Sequence, residues 1–520
     1  MPIIQQGSVN TTALVVPDLY VQIVPPQNLV LNGVPTNVVG VVGTASWGPV
    51  AQPVIIATMA DFARSFGPIV ARKYDLGTQV ATAVQQGAQN FRCVRVTDGT
   101  DTAAQVVAPG TTAAFTALYS GSLGNQVSLT LQQGSAIDTW RLIVSLPGLQ
   151  PEVYDNIVGT GAAFWTSLAA AVNQGQGPQR GPSQLILASA GGATTAPVAF
   201  NTTLGASTPG SDGASGVTSA QLVGNDAPPR TGMYALRGQG CGIALLVDSD
   251  DATQWTAQAA FGLQEGIYMI LTGPAGDTIQ NAVTVMQQAG LDSYSAKLMF
   301  GDWLWWSDQV NSTIRLVSPQ GFTAGRLANL SPEQSSLNKQ IYCVIGSQMS
   351  GTPGSGQSTS YSAAELAVLL GAGIDVICNP QPGGSYWGVR GGHNTSSNPA
   401  IDGDNYTRLT NYIAATLAAG MGQFVGQVIN SNLFQSIRSA QLAFLQNMLE
   451  QGILGSTDGS LPFSVICDTS NNPPSRTGLG YVQSDAQVQY QAINEKFIVN
   501  IEGGQTVQVS VQTLPTGQTG

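Results

Sequence analysis

The stretch NYTRLTNYIAATLAAGMGQFVGQVINSNLFQSIRSAQLAFLQNML, residues 405–449, carries the longest periodic pattern in the chain. Its apolar residues recur mostly at steps of three and four: Leu409, Ile413, Leu417, Met421, Phe424, Val428, Leu433, Ile437, Leu442 and Leu445. This spacing predicts a long amphipathic helix that buries one face. Gly420 and Gly422 predict an interruption or kink, and Asp402 or Asp404 stands where an N-cap is expected. The pattern leaves open whether the opposite face meets water or a neighbouring subunit.

The composition of the chain is poor in charge. Charged residues make up 9% of the 520 residues and the net charge is −11, whereas an average soluble domain has about 25% charged residues. Nucleic-acid binding needs clustered Lys and Arg, so this balance argues against it. Few charges also lower the desolvation cost of packing large surfaces against copies of the same chain. The composition therefore favours a subunit of a large assembly.

The sequence also bears on where the protein is made and on the state of its cysteines. The sequence shows no charged-then-apolar N-terminal signal and no apolar run of about 18 residues, so neither secretion by that route nor membrane insertion is expected. The cysteines are odd in number and far apart, which predicts reduced, buried thiols in a protein made in a cytoplasm. They are Cys93, Cys241, Cys343, Cys378 and Cys467.

Two regions alternate between strand and helix patterns, which is typical of α/β domains. Residues 38–96 contain the apolar run VVGVVG, a small-residue helix pattern and the strand pattern FRCVRV. Residues 217–375 contain CGIALLVD and GIYMILTGP, whose length and apolarity predict buried strands of a largely parallel sheet. Between these regions, residues 97–205 predict a small, mostly β insertion, and residues 202–216 have the composition of a flexible linker.

Both ends of the chain carry strand patterns that are set off from the rest of the chain by prolines or glycines. Leu19, Val21 and Ile23 alternate between prolines, which predicts an edge or borrowed strand; a terminal tail lying loosely on the surface is the alternative. The stretch that ends at Glu502 also shows strand-like alternation, at Phe497, Val499 and Ile501. After Gly503 and Gly504, the residues Val507, Val509 and Val511 alternate strictly, which predicts a strand that pairs outside its own domain or a last edge strand folded onto its own sheet.

Residues that could carry catalysis are sparse. His393 is the only histidine, and it lies in the loop RGGHNT with no G-x-S-x-G nucleophile turn in the sequence. The scattered cysteines and carboxylates match no zinc or calcium spacing. The glycines of GQGCGI precede a strand instead of following one, so a dinucleotide loop is not predicted. We expect no enzyme activity, no cofactor and no metal.

A set of motifs runs in order along the chain: VVPDLYVQIV, VVGTASWGPVAQPVIIATMADFARSFG, AVQQGAQNFRCVRV, ALYSGSLGNQVSLTL, GSDGASG, GMYAL, SYSAKLMFGDWLWW, VSPQGFTAGRLA and YWGVRGGHNTSS. Taken in this order, they resemble the tail sheath proteins of contractile bacteriophages. VVPDLYVQIV is similar to the opening arm of that family, with Asp18 and Leu19 where Gly-Val is common. YWGVRGGHNTSS is similar to the W-G-x-R-T block before the long helix, with Gly391 replacing Thr and extra residues inserted.

The resemblance implies an α/β multidomain protein. An inner α/β domain would be built from N- and C-terminal parts, with an inserted small β domain, an outer α/β domain and extended terminal arms. The implied division is an N-terminal arm at 1–28, an inner domain at 29–96 plus 376–502, an inserted β domain at 97–205, an outer domain at 206–375 and a C-terminal arm at 503–520.

The resemblance also implies partners and roles. Copies would form stacked hexameric rings around an inner tail tube, with baseplate and tail terminator proteins at the ends, in a virion assembled in the host cytoplasm. The implied intersubunit strands use Leu19, Tyr20, Val21, Ile23, Val507, Val509 and Val511, with a hinge at Gly503 and Gly504. The helix region implied to face the tube includes Arg408, Asn411, Gln423, Gln427 and Arg438.

Three other interpretations remain open from the sequence. A secreted or surface enzyme acting on polysaccharide would need paired carboxylates in a cleft. Another structural virion protein, such as a capsid or fibre subunit, would share the composition. The sheath of a secretion machine is commonly split over two chains, whereas this chain carries both arm patterns.

Overall fold

The computed structural model describes residues 3–6, 20–23, 31–178 and 180–503. The strands are β1 (Ile3–Gln6), β2 (Tyr20–Ile23), β3 (Val39–Gly43), β4 (Pro53–Ile56), β5 (Phe91–Arg95), β6 (Gln105–Val107), β7 (Ala114–Ala117), β8 (Ser128–Gln133), β9 (Trp140–Ser145), β10 (Glu152–Ile157), β11 (Ile186–Ser189), β12 (Phe200–Thr203), β13 (Ile243–Leu246), β14 (Tyr268–Thr272), β15 (Ala296–Met299), β16 (Leu304–Asp308), β17 (Thr313–Val317), β18 (Val344–Ser347), β19 (Ile374–Asp375), β20 (Ile377–Cys378), β21 (Gly388–Val389), β22 (Phe463–Ile466) and β23 (Asp485–Val488). The helices are α1 (Met59–Phe66), α2 (Leu76–Gln85), α3 (Ala162–Gln174), α4 (Ser219–Val223), α5 (Trp255–Glu265), α6 (Ile279–Ala289), α7 (Gln320–Ala328), α8 (Ala363–Gly371), α9 (Asp404–Met421), α10 (Ser431–Glu450) and α11 (Pro474–Thr477).

A seven-stranded sheet forms the centre of the molecule. Its strand order is β19–β15–β14–β13–β3–β5–β4. Neighbouring strands are parallel, except that β4 is antiparallel to β5. The expectation of an α/β fold with a largely parallel sheet is therefore confirmed.

Both faces of this sheet are buried, which explains the continuous apolar runs in its strands. Ile243 and Leu245 of β13 point into a core that includes α2 and α7, whereas Ala244 and Leu246 point into a second core that includes α5 and α6. Successive side chains of a strand face opposite sides, so a strand covered by helices on both sides must be apolar at every position.

The sheet joins two regions that the sequence analysis assigned to different domains. Strand β3 pairs with β5 on one side and with β13 on the other. Residues 29–96 and 206–375 therefore contribute to one sheet, not to separate inner and outer domains. The pattern of a parallel strand shows that it is buried but does not show which distant strand lies beside it, so the order was not predictable from the residues.

The insertion between β5 and β13 has its own core. A four-stranded sheet, β10–β9–β8–β12, and a three-stranded sheet, β11–β7–β6, enclose apolar side chains together with α3. Phe115, Leu129 and Trp165 are buried there, and Trp47 from the central region reaches into the same cluster. This segment is mostly β, as its composition predicts.

The segment predicted as a flexible linker is held in place by hydrogen bonds. Ser211 exchanges backbone hydrogen bonds with Thr102, and the Asp98 N–H donates to Gly213 O at 2.7 Å. The buried guanidinium of Arg95 donates to Gly48 O and Ser120 O, and also to Asp212 O. The flexible-linker interpretation is therefore wrong. Small polar residues leave the backbone free to bond, and here it bonds to the start of the insertion.

The C-terminal region contains the helix predicted at the outset, but in two parts. Helix α9 ends at Met421, a 3-10 turn covers Gly422–Phe424, and α10 begins at Ser431, as the two glycines predict. Both helices pack in a cluster that includes Leu409, Phe444 and Phe463. Val428, which the periodic pattern placed on the buried face, is 79% exposed, because the break changes the helical register.

Candidate assembly surfaces

The N-terminal strand lies apart from the central sheet. Strand β2 pairs in parallel with β1, with Tyr20 opposite Ile3 and Ile23 opposite Gln6. Within the described residues this pair forms a two-stranded sheet of its own. Tyr20, Val21 and Ile23 are thus in a strand, whereas Leu19 lies outside the described residues. Pairing of this strand with another subunit stays a prediction.

The segment that leads towards the C-terminal arm is extended and apolar but is not a strand. Residues 489–503 have no assigned secondary structure, so the alternation at Phe497, Val499 and Ile501 does not form a strand here. A strand needs a partner for its backbone, and among the described residues no strand pairs with this segment. Four apolar side chains in this segment are highly exposed: Phe497 at 81%, Ile498 at 80%, Val499 at 62% and Ile501 at 87%.

Polar contacts hold the beginning of this segment on the body of the protein. His393 Nε2 lies 2.8 Å from Glu495 Oε1, and its Nδ1 lies 3.7 Å from Asp402. The Asn405 amide donates to Gln491 O at 3.1 Å. His393 thus fastens the C-terminal segment beside the N-terminus of α9. Gly503 is exposed, with open space around its Cα, while Gly504, Val507, Val509 and Val511 lie outside the described residues.

The two-stranded sheet β22–β23 presents an open edge close to this segment in sequence. Its strands are antiparallel, with Phe463 opposite Val488, and within the described residues neither pairs with a further strand. Arg438 Nε donates to Val465 O on β22 at 3.1 Å, whereas Ala486 and Gln487 of β23 are exposed. Phe463 and Val465 of β22 pack against α10, whereas the open edge of β23 is a template for another strand.

The residues expected to face the tube have different environments. Gln423, Gln427 and Arg438 are exposed, and Asn411 is half-buried. Arg408 is buried and donates to Leu330 O at 2.7 Å and Ser331 O at 2.9 Å. Burial lowers the pKa of Arg408 to about 10, so it is still charged at neutral pH, and these carbonyls together with nearby Asp404 stabilise it. A tube-contacting role for Arg408 is therefore wrong.

A buried ionic cluster joins α9 to the central sheet. The Lys297 ammonium on β15 lies 2.6 Å from Asp375 on β19 and 3.0 Å from Asp404 at the start of α9. All three side chains are at most 1% exposed. Asp404 also accepts a hydrogen bond from Tyr268 at 2.6 Å and others from Ser336. The cluster thus connects the arm-bearing C-terminal region to the sheet.

The charges of this cluster stabilise one another. Burial by itself raises the pKa of Asp404, but the Lys297 ammonium and the hydrogen bonds from Ser336 and Tyr268 lower it to about 2. Burial lowers the pKa of Lys297, yet Asp375 and Asp404 hold it above its usual value. Lys297 and Asp404 are therefore both ionised at neutral pH. Asp404 is the first residue of α9 and Gly403 is the N-cap, so the predicted Asp cap is wrong because this carboxylate binds Lys297 instead.

The sequence itself indicates that Lys297 and Arg95 are buried charges. Each is a basic residue inside an apolar strand pattern, AKLM and FRCVR. A charge at such a position is buried, so it needs a partner elsewhere in the chain. This pattern identifies the residue but not its partner, because Asp375 and Asp404 follow Lys297 at long range.

The geometry offers few means for chemistry. Among the described residues, no group of three His, Cys, Asp or Glu side chains could hold a metal ion. In the same part of the chain, no helix is both long and apolar enough to cross a membrane.

Comparison with known proteins places this fold among contractile sheath proteins. No protein-family model matches the sequence, and no curated protein is significantly similar to it. A sheath tail protein of Desulfitobacterium hafniense is 16% identical, with a TM-score of 0.59 over 85% of this chain and 91% of that one. A sheath tail protein of Listeria innocua is 16% identical, with a TM-score of 0.59 over 84% and 90% of the two chains.

A third structure extends the likeness to nearly the whole length. The sheath of an extracellular contractile injection system, PVC, in the contracted state is 12% identical, with a TM-score of 0.54 over 95% of this chain and 98% of that one. The resemblance to tail sheath proteins is therefore confirmed at the level of the fold.

Proposed function

We propose that this chain, which has the fold of contractile tail sheath proteins, is the structural subunit of such a sheath. The likeness to a sheath protein over 95% of this chain and 98% of the other carries the proposal. In the proposed assembly, copies form stacked hexameric rings around an inner tail tube. A contact that does not close on itself, repeated along an axis, builds such a filament.

Neighbouring copies are joined by strand addition in this proposal. The segments Leu19–Ile23 and Val507–Val511 would each pair with a β22–β23 sheet of another copy. The open edge of β23 supports this, because Ala486 and Gln487 are exposed and, among the described residues, β23 has no strand partner other than β22. Backbone hydrogen bonds tolerate sequence variation and hold copies together while the compact bodies rotate. Gly503 and Gly504 would act as the hinge.

Contraction would release energy stored in packing. The sheath would have two arrangements of the same compact body, extended and contracted, that differ in the contacts between outer surfaces. The transition would shorten the sheath and drive the tube through a cell envelope. No covalent step is part of this mechanism, and we propose no enzymatic role and no cofactor.

The remaining partners follow from this role. The inner tube protein would contact the C-terminal helices, at a surface that includes the exposed Gln423 and Gln427. Baseplate and tail terminator proteins would bind the ends of the sheath. The protein would be found in a phage tail assembled in the host cytoplasm, without nucleic-acid or membrane contact.

A second candidate is the sheath of a contractile particle other than a phage tail. The likeness to the sheath of an extracellular contractile injection system favours it, because that likeness covers more of this chain than those to the two sheath tail proteins. Both candidates share the same assembly. They differ in the genes and cargo that accompany the sheath.

Electron microscopy of the purified protein tests the proposal. Negative-stain images should show rings or tubes of uniform diameter. Deletion of residues 505–520 should abolish polymers while circular dichroism still reports a folded monomer. Ile137→Ser, at a position in the insertion that is 91% exposed, serves as a control that should leave polymers intact. Monomers from the full chain under all conditions, or normal tubes from the C-terminal truncation, would refute this arrangement.

A further inference from the structure

An apolar groove lies where helix α9 gives way to α10. Its walls include Met421 and Phe424 from the break, Leu433 and Ile437 from α10, and Tyr481 and Val482 from the loop that follows α11. It encloses about 570 Å³, a volume within the range of pockets that hold small ligands or short peptide segments.

The groove is wide open to solvent along an apolar rim. Val425 is 84% exposed and Tyr481 is 63% exposed, and both line the groove. None of the side chains that line the groove is charged. Contiguous exposed apolar surface of this kind marks an interaction site, and the lack of charge means that the occupant is also uncharged where it touches.

One segment of this chain matches that description. Residues 497–501 read FIVNI and contain no charged residue, while Lys496 and Glu502 stand at the two ends. The four apolar side chains of this run are between 62% and 87% exposed. A run of five residues bounded by opposite charges fits an uncharged groove with both charges left in water.

The run does not lie in its own groove. Glu495, two residues before it, is held by His393, and Phe497 lines a different cavity together with Leu337 and Arg390. That cavity shares no lining residue with the groove. Within the part of the chain that the structure describes, the apolar run and the apolar groove are therefore both uncovered and lie at separate places, and two copies can bring them together.

We infer that the groove between α9, α10 and the loop 479–484 binds the segment 497–501 of a second copy. Phe497 and Ile501 are the anchors, because they are the largest exposed side chains of the run at either end. The inference deepens the proposed function and rests on it in one respect, since it needs copies that lie side by side. It adds an apolar side-chain contact to the backbone pairing of the arms.

Site-specific cross-linking tests this contact. One protein carries Phe497→Cys and the other carries Val425→Cys, both in a background in which the exposed Cys343 is replaced by Ser. After mixing and mild oxidation, we expect a cross-linked dimer only in the mixture. The control pairs Phe497→Cys with Val310→Cys, which is also exposed, at 59%, and should yield at least tenfold less dimer.

A second measurement does not depend on assembly. A synthetic peptide of residues 495–503 should bind the protein truncated after residue 504, with a change in fluorescence anisotropy. Val425→Asp in the protein, or Phe497→Asp in the peptide, should weaken binding at least tenfold. Val310→Asp should leave binding unchanged.

The outcomes separate this inference from the proposed function. Tubes that form normally from Val425→Asp protein, together with no peptide binding, would overturn the groove contact and leave the sheath proposal standing. Cross-linked dimers without tubes would support the contact and count against the sheath. A cross-link within single chains carrying both cysteines at high dilution would show that each segment fills its own groove, and would also overturn the inference.

Discussion

Replacement of Lys297 by Met tests how the C-terminal region is joined to the sheet. Met is close to Lys in length and apolar, so the change removes the ammonium with little change in volume. It leaves Asp375 and Asp404, at most 1% exposed, without their shared cation. The change removes two ion pairs at once, one from Lys297 Nζ to Asp375 at 2.6 Å and one from Lys297 Nζ to Asp404 at 3.0 Å.

The expected cost is about 3 kcal/mol of the free energy of unfolding, at the lower end of the range for breaking a buried ion pair. The lower end applies because both carboxylates keep other donors. Asp375 still accepts from the N–H groups of Gly391 and Gly392, each at 2.7 Å. Asp404 still accepts from Tyr268 and from the Ser336 N–H at 3.0 Å.

Urea unfolding at pH 7, followed by circular dichroism under conditions where the chain is monomeric, measures this cost. Lys73→Met is the matched control, because Lys73 pairs with Asp250 but its side chain is 47% exposed, and such pairs contribute less than about 1 kcal/mol. Adding Asp404→Asn to Lys297→Met should recover part of the loss, since a neutral amide needs no cation. Equal midpoints for Lys297→Met and Lys73→Met would refute the reasoning.

Three further predictions concern single side chains. Burial raises the pKa of Asp75 from 3.8 to about 6, although Thr78 and Arg72 act to lower it. The folded state therefore favours the protonated acid. The stability that the protonated side chain contributes is present below about pH 4 and is lost as the pH rises through 6. Because Asn carries no charge, Asp75→Asn should raise the free energy of unfolding at pH 8 by up to about 3 kcal/mol and change it little at pH 4. Urea unfolding at the two pH values measures this, and an equal effect at both would contradict the prediction. Arg95→Met should remove the hydrogen bonds to Gly48 O, Ser120 O and Asp212 O at the neck of the insertion and speed limited proteolysis within residues 97–216. Arg64→Met, at an exposed site, is the control, and equal cleavage rates for the two variants would contradict this prediction. Glu495→Gln should weaken the contact with His393 and accelerate cleavage between residues 495 and 503 several-fold without shifting the urea midpoint, whereas unchanged cleavage would show that His393 does not hold the segment.

Local patterns predicted the elements of this fold better than their arrangement. The period of three and four found α9 and α10, and the glycines located the break, because both signals depend on neighbouring residues. The apolar runs of β13 and β14 predicted buried parallel strands. The pairing of β3 with β13 was not predictable, since nothing in either run identifies its neighbour.

For the candidate interfaces too, local sequence patterns were predictable and the arrangement in space was not. The exposed apolar run at 497–501 was visible in the sequence as alternation, but its exposure depends on the absence of a partner strand in a single chain. Arg408 was misplaced because an arginine on a helix usually faces water, whereas here two backbone carbonyls and Asp404 compensate its burial. The groove could not be predicted, because it depends on the angle at which α10 leaves the break.

The central sheet has a consequence for biosynthesis. Strand β3 must wait for β13, roughly 200 residues later, before its second neighbour exists, and β19 completes the row only near residue 375. At about 5–20 residues per second, the ribosome needs roughly 10–40 s to supply that neighbour. During this interval the insertion, whose core is almost entirely its own, can already fold. The nascent chain therefore exposes the unpaired apolar edge of β3 next to a folded insertion. Binding of chaperones to the nascent chain should fall sharply once β13 leaves the ribosome.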